Sequence, residues 1–293
     1  MDRPARARAL TRDDPTSADE NRPRLAIPER LDASLVLVRH GESELIVQCR
    51  FQGRLDTALS ARGRRQAELV AERLAAPHAP PALPIPLGPP LVIVHSPLSR
   101  AAETAAGIGR AIRSAGDPPA VVPLRVDERF PEIGQGEWEG RLASEIAETD
   151  GDRLAAWRQR PTETWAPDGE RLVDVRTRAT DAIEDLLVQL AAAGRPGTVM
   201  APQVGGYHDA PATHPWSIVV AHDGVFKVAL LALFDLPLER FWMWSSDLCG
   251  ISVVEIRAGR PVVRAMNLTE HLAPLLDEQA QEDSEARARS GAL

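Results

Sequence analysis

Short apolar runs that stop abruptly at polar residues organise this chain. Leu35-Val36-Leu37-Val38 stops at Arg39, Leu91-Val92-Ile93-Val94 at His95-Ser96-Pro97, and Ile218-Val219-Val220-Ala221 at His222. Continuous runs of this length suit parallel strands buried on both faces. Between them the period changes. Ala67, Val70, Ala71 and Leu74 recur at helical spacing behind a capping residue, Ser60, and Ile183, Leu186, Leu187 and Leu190 repeat the pattern. Val225 to Phe234 is apolar nearly all round, which predicts a buried helix. Ile251–Ile256 and Pro261–Met266 flank Arg257-Ala258-Gly259-Arg260 and predict an antiparallel hairpin at the sheet edge. Strands alternating with helices predict an α/β fold, a mainly parallel sheet with helices on its faces and an antiparallel edge strand.

Two stretches carry no regular pattern. Residues 76–90 are crowded with proline and predict an irregular loop. Residues 196–215 hold glycines, prolines and Tyr207-His208-Asp209; they predict a long surface loop before a core strand, with a substrate lid as the rival reading. The ends differ in character from the middle. Residues 1–33 are polar and punctuated by proline, and residues 274–293 are rich in Glu, Arg, Ala and Ser. Both predict disordered extensions around one domain spanning 34–273.

Composition narrows the function classes. The chain has 293 residues, ample for a buried core, and a formal net charge of -8. An acidic balance argues against nucleic acid as the main partner. The apolar runs fall well short of the roughly 20 residues of a membrane span, and the N-terminus lacks the apolar segment of a secretory signal. Cys49 and Cys249 form no Cys-x-x-Cys pair and read as reduced thiols of a cytoplasmic protein.

The three strand ends carry the chemistry. Arg39-His40-Gly41-Glu42 follows the first, Ser96-Pro97-Leu98-Ser99-Arg100 the second, and His222-Asp223-Gly224 the third. In open parallel sheets ligands bind beyond the carboxyl ends of the strands, so these distant segments converge. Each runs into a turn or helix start, where backbone N–H groups are free to bind an anion. Guanidinium groups of Arg39 and Arg100 suit a phosphoryl group. Neutral His40 is a competent nucleophile, and His222 can donate to a phosphoryl oxygen. A leaving alkoxide needs a proton from a carboxylic acid. The candidate is Glu132, although spacing alone does not choose it over Glu137, Glu139, Asp127 or Glu128.

With these residues in order, the chain resembles the histidine phosphatase superfamily, the phosphoglycerate-mutase-like group, over nearly all of Leu35–Leu272. The motifs are Arg39-His40-Gly41-Glu42-Ser43, the loop Arg50-Phe51-Gln52-Gly53-Arg54-Leu55-Asp56, the run Ser96 to Ala105, the acid segment Phe130 to Gly140, and Val220-Ala221-His222-Asp223-Gly224. The resemblance implies a three-layer α/β/α sandwich and catalysis without metal or other cofactor. It implies that His40 is phosphorylated, that Arg39, Arg100 and His222 complete the phosphate pocket, and that Glu132 is proton donor and then base. Gln52 and Gly53, with Ser43 and Asp223, are the candidates for contacts to substrate. Leu45 and Ile46 stand where many mutases have Trp-Asn, and Arg54 follows Gly53 where they have Trp. The expected activity is therefore hydrolysis of a small phosphomonoester. A phosphomutase, or a phospho-ligand-binding protein without turnover, are the alternatives. Many relatives are dimers, and a homodimer is compatible with this reading. Asp223 replaces a small residue common in the family and either tunes His222 or points away. His78, His208, His214 and His271 lie in loops or near the tail and are expected to be mostly exposed.

Overall fold

The computed structural model describes residues 25–116, 121–194 and 213–278. Its order is β1 (Ala33–Arg39), α1 (Glu44–Val47), α2 (Ala61–Ala75), β2 (Ile93–His95), α3 (Ser99–Ala115), β3 (Leu124–Val126), α4 (Ala143–Gln159), α5 (Leu172–Ala193), β4 (Trp216–Ala221), α6 (Asp223–Leu233), β5 (Ile251–Arg257) and β6 (Arg260–Leu268). The six strands form one sheet in the order β3-β2-β4-β1-β5-β6. β1, β2, β3 and β4 are parallel, and β5 runs against β1 and against β6. The hairpin thus lies at the sheet edge as expected, and the reversed strand is the one next to the edge.

Strand alternation divides the core into two layers. Leu35, Leu37, Val219 and Ala221 face α5 and α6, packing with Ile183, Leu186, Leu187, Val225 and Leu231. Val36, Val38, Ile218 and Val220 face the other way, onto Val70, Leu74, Ala105 and Ile108 of α2 and α3. Helices on both faces explain why the central strands read as continuous apolar runs. The architecture is the expected α/β/α sandwich. Ser60 caps α2, its hydroxyl accepting from Gly63 N–H. From Gly224 to Leu233 every residue of α6 is buried, Lys227 included. Residues 76–90 contain no helix or strand, although Leu83 and Ile85 anchor the loop in the core.

The domain extends further than its expected ends. Leu31 and Ala33 are buried, and Leu25 and Ile27 pack on the α5/α6 side, so residues 25–33 are not a loose extension. Residues 274–278 are helical, Leu275 is buried, and Glu278 pairs with Arg65 at 3.0 Å. Apolar residues within both segments find core surface to cover, which composition alone did not reveal. The remainder of the expected tails, and residues 196–212 of the expected long loop, lie outside the described residues. Among the described residues, no helix is long and apolar enough to cross a membrane.

Candidate active site

Register brings the three motifs level. Arg39 of β1 aligns with Ala221 of β4, and His95 of β2 aligns with Val220. His40, Ser96 and His222 therefore leave the sheet at one edge. His40 N–H bonds to Ala221 O and Ser96 N–H to Val220 O, each at 3.0 Å. Beyond His40 the chain passes tightly against α2: a Cβ on Gly41 would lie 2.5 Å from the Gly63 carbonyl oxygen. That backbone contact explains glycine in the first motif.

His40 and His222 are both buried, with ring centroids 4.9 Å apart. His40 Nδ1 lies 2.6 Å from Gly41 O. A carbonyl only accepts, so Nδ1 carries the proton and Nε2 presents a lone pair. Burial, reinforced by the Arg100 and Arg39 charges, holds the His40 pKa well below its usual 6.5. The same burial, with His40, Arg100 and Arg39 nearby, lowers His222. Both rings are therefore neutral at pH 7, and His40 Nε2 offers its lone pair without needing a base.

Arg100 is fully buried. Its Nε–H donates to His40 Nε2 at 3.3 Å, and its two terminal nitrogens donate to Leu55 O and Gly53 O, each at 2.9 Å. Burial pulls its pKa down to about 10, which leaves it charged at neutral pH. Arg39 donates Nη1–H to Ser246 O at 2.6 Å. Arg39 Nε and His222 Nδ1 are buried and lack a partner among the described residues. Buried polar nitrogens without partners beside His40 are suited to receiving an anion.

Backbone N–H groups do not share that task as the sequence suggested. Gly41 N–H is taken by Thr104 Oγ1 at 3.2 Å and Glu42 N–H by Gln66 Oε1 at 2.7 Å. Gly224 and Val225 N–H, at the start of α6, both donate to the Glu132 carboxylate at 3.1 Å. Side chains of α2, α3 and the segment after β3 take these donors, which leaves the guanidinium and imidazole groups to meet an anion. The same bonds settle where Glu132 goes: it is docked at the α6 N-terminus, beside His222, and its charge acts on Arg100. Of its rivals, Asp127 is tied to Arg129 at 2.8 Å, and Glu139 Oε1 accepts from Arg54 and Gln135 N–H.

The weaker candidates have supporting places. Gly53 has φ +52 and offers its carbonyl to Arg100, so it orients the arginine. Gln52 Nε2 donates to Ser43 Oγ at 2.5 Å, while Gln52 Oε1 is buried and unpartnered among the described residues. Asp223 turns away from His222. It binds Lys227 at 2.6 Å and Ser246 N–H at 2.9 Å, and so fixes the loop whose carbonyl holds Arg39.

Two residues outside every motif complete the frame. Arg178 of α5 donates to the carbonyls of Arg129, Pro131 and Glu132 at 2.7, 2.8 and 3.2 Å. It also forms a 2.8 Å pair with Glu170, which in turn binds Arg54 at 2.8 Å. The acid segment and the Gln52 loop are thereby joined through Glu170. Neither residue has a sequence signature beyond being charged on a partly apolar helix and the loop before it. The other histidines depart from the expectation of exposure. His78, His214 and His271 are half-buried; His214 bonds to Ser34 Oγ and His271 to Cys249 O, while His208 lies outside the described residues. Cys49 and Cys249 are both free thiols.

Fold and site together place buried guanidinium and imidazole groups at the carboxyl edge of a parallel sheet, a layout suited to an enzyme acting on an anionic substrate. The model of the histidine phosphatase superfamily (branch 1) matches residues 35–269, and the chain belongs to that family. It is 29% identical over 241 residues to phosphoserine phosphatase 1 of Hydrogenobacter thermophilus, covering 81% of this chain and 93% of that protein. It is 35% identical over 209 residues to glucosyl-3-phosphoglycerate phosphatase of Mycolicibacterium vanbaalenii, covering 71% and 76%. Among solved structures, a mycobacterial glucosyl-3-phosphoglycerate phosphatase with VO3 aligns with a TM-score of 0.61 at 29% identity, over 80% of this chain and 99% of that one. The protein is a phosphatase, a phosphoric monoester hydrolase.

Proposed function

We propose that the enzyme hydrolyses a small phosphorylated metabolite through a phosphohistidine on His40. The observation that carries this is the fixed tautomer of His40: Nδ1–H is held by Gly41 O at 2.6 Å and Nε2 faces Arg100 at 3.3 Å. The Nε2 lone pair attacks phosphorus, and the bond from phosphorus to the ester oxygen breaks. Positive charge left on the imidazole is shared through Nδ1–H with the Gly41 carbonyl. Arg39, Arg100 and His222 take the phosphoryl oxygens, where charge builds in the transition state. Glu132 gives a proton to the departing alkoxide. It then accepts a proton from water, whose oxygen attacks the phosphohistidine, breaks the P–N bond and releases phosphate.

The relatives narrow the substrate to small molecules. Their names join phosphate to serine and to a glucosylated glycerate, and a phosphorylated hydroxy or amino acid is the class proposed here. The two arginines supply the positive charge, so the scheme invokes no metal.

The test is hydrolysis of p-nitrophenyl phosphate with EDTA present, combined with trapping of acid-labile phosphoprotein. Wild-type enzyme releases phosphate and His40→Ala loses at least about four orders of magnitude in kcat. Phosphate release that persists in His40→Ala would sink the nucleophile. Phosphoryl exchange between glycerate positions without release of phosphate would make it a mutase. Absence of turnover on p-nitrophenyl phosphate and on phosphorylated hydroxy and amino acids would favour a binding protein.

A further inference from the structure

Ser96 has a role that its place in a motif does not state. It is fully buried at the end of β2, and its Oγ lies 2.7 Å from His222 Nε2 and 3.3 Å from Leu98 N. A hydroxyl has one proton to give and lone pairs with which to accept. The Leu98 N–H can only donate, so Ser96 Oγ accepts there. The hydroxyl proton is then left with one acceptor among its neighbours, the lone pair of His222 Nε2. A buried hydroxyl proton without an acceptor costs about 1–3 kcal/mol, which favours this assignment over the reverse.

The consequence falls on the other side of the ring. With Nε2 occupied as an acceptor, a neutral His222 carries its proton on Nδ1. That nitrogen is buried and has no partner among the described residues. We infer that Ser96 is a positioning residue: its hydroxyl fixes His222 as the Nδ1–H tautomer and so supplies the phosphate pocket with a donor instead of a lone pair. The reverse tautomer would turn an imidazole lone pair towards the phosphoryl oxygens and repel them.

The arrangement parallels that of His40. Both rings carry Nδ1–H, one fixed by a carbonyl acceptor at Nδ1, the other by a hydroxyl donor at Nε2. The first exposes a nucleophilic nitrogen and the second exposes a proton. Two residues of one type acquire opposite functions from one neighbour each.

The inference rests on the proposed pocket for its catalytic meaning, but its test does not need turnover. Long-range 1H–15N correlation spectra of phosphate-free, 15N-histidine-labelled protein report which ring nitrogen is protonated. In the wild type, His222 should show a protonated Nδ1 and an unprotonated Nε2. In Ser96→Ala the pattern should shift towards the Nε2–H form or an average of both, with kcat on p-nitrophenyl phosphate falling roughly 10- to 100-fold. A wild-type His222 protonated on Nε2 overturns the inference, and so does an unchanged tautomer in Ser96→Ala, whatever the rate. Turnover surviving in His40→Ala would instead remove the phosphohistidine reading and leave the tautomer result standing.

Discussion

Arg100 donates its Nε–H to His40 Nε2 across 3.3 Å, so the guanidinium lies on the lone pair that the proposed attack uses. The same fork holds the carbonyls of Leu55 and Gly53. A lysine ammonium is compact and cannot span three acceptors that lie around a planar group. Arg100→Lys is expected to lower kcat/KM for p-nitrophenyl phosphate by about 10²–10³. Thermal stability should fall as well, because two carbonyls lose their donor. A loss below about fivefold would show that positive charge alone suffices at this position.

Glu132 accepts Gly224 N–H on one oxygen and Val225 N–H on the other; glutamine keeps one acceptor, loses one of these bonds and lacks the exchangeable proton. Glu132→Gln should therefore still fold, with stability lowered by about 1–3 kcal/mol, and lose about 10²–10⁴ in kcat on an alkyl phosphate. p-Nitrophenolate leaves without protonation, so the first step on that substrate should suffer much less. Comparing the two leaving groups in single-turnover phosphorylation checks the assignment. Equal losses on both would remove Glu132 as the proton donor.

The fold was legible because its central strands β1 and β4 are buried on both faces, and β1, β4 and the hairpin stand where the apolar runs place them. α3 and α4 were not. The buried face of α3 is built from Ala101, Thr104, Ala105 and Gly109 as much as from Ile108 and Ile112, and α4 buries only Ile146 and Leu154 and kinks at Asp150. Helices with such small or sparse contacts leave a weak periodic signal. The convergence of His40, Arg39, Arg100 and His222 was readable because they stand at or just beyond the ends of apolar runs that become neighbouring strands. The anchoring of Glu132 on α6 was not, since a contact between residues 132 and 224 is a property of the packed structure. Arg178 was hidden for the same reason: its ligands are carbonyls, which any residue can offer.

Arg178 and Glu170 are each only about one-seventh exposed (15% and 13%), and together they hold the segment that carries Glu132. Removing Arg178 takes a donor from three carbonyls and leaves Glu170 held only by Arg54 and the Gly134 N–H. Arg178→Met is expected to cost about 3 kcal/mol in urea unfolding. It should also lower kcat, since the backbone of residues 129–132 loses its brace. The double variant with Glu170→Gln should recover part of the stability. Strict additivity of the two single losses would show that the ion pair is not coupled.

The two buried histidines also set a pH dependence for folding. His40 and His222 both titrate well below 6.5 in the folded state, mainly because burial disfavours the charged ring. The unfolded chain takes up a proton at each as pH falls through 6.5, and the folded chain does not. Stability should therefore be flat above about pH 6.5 and decline below it, with a limiting slope near 1.4 kcal/mol per pH unit for each histidine. His214 and His271, also lowered by burial, add in the same direction. Urea midpoints measured between about pH 7.5 and 5 should show the decline, and His222→Gln should lessen it by one histidine's share. A wild-type profile that stays level to pH 5 would mean that burial does not lower the two rings, and one that rises would mean that they take up protons more readily when folded and that His40 does not stand ready as a neutral nucleophile.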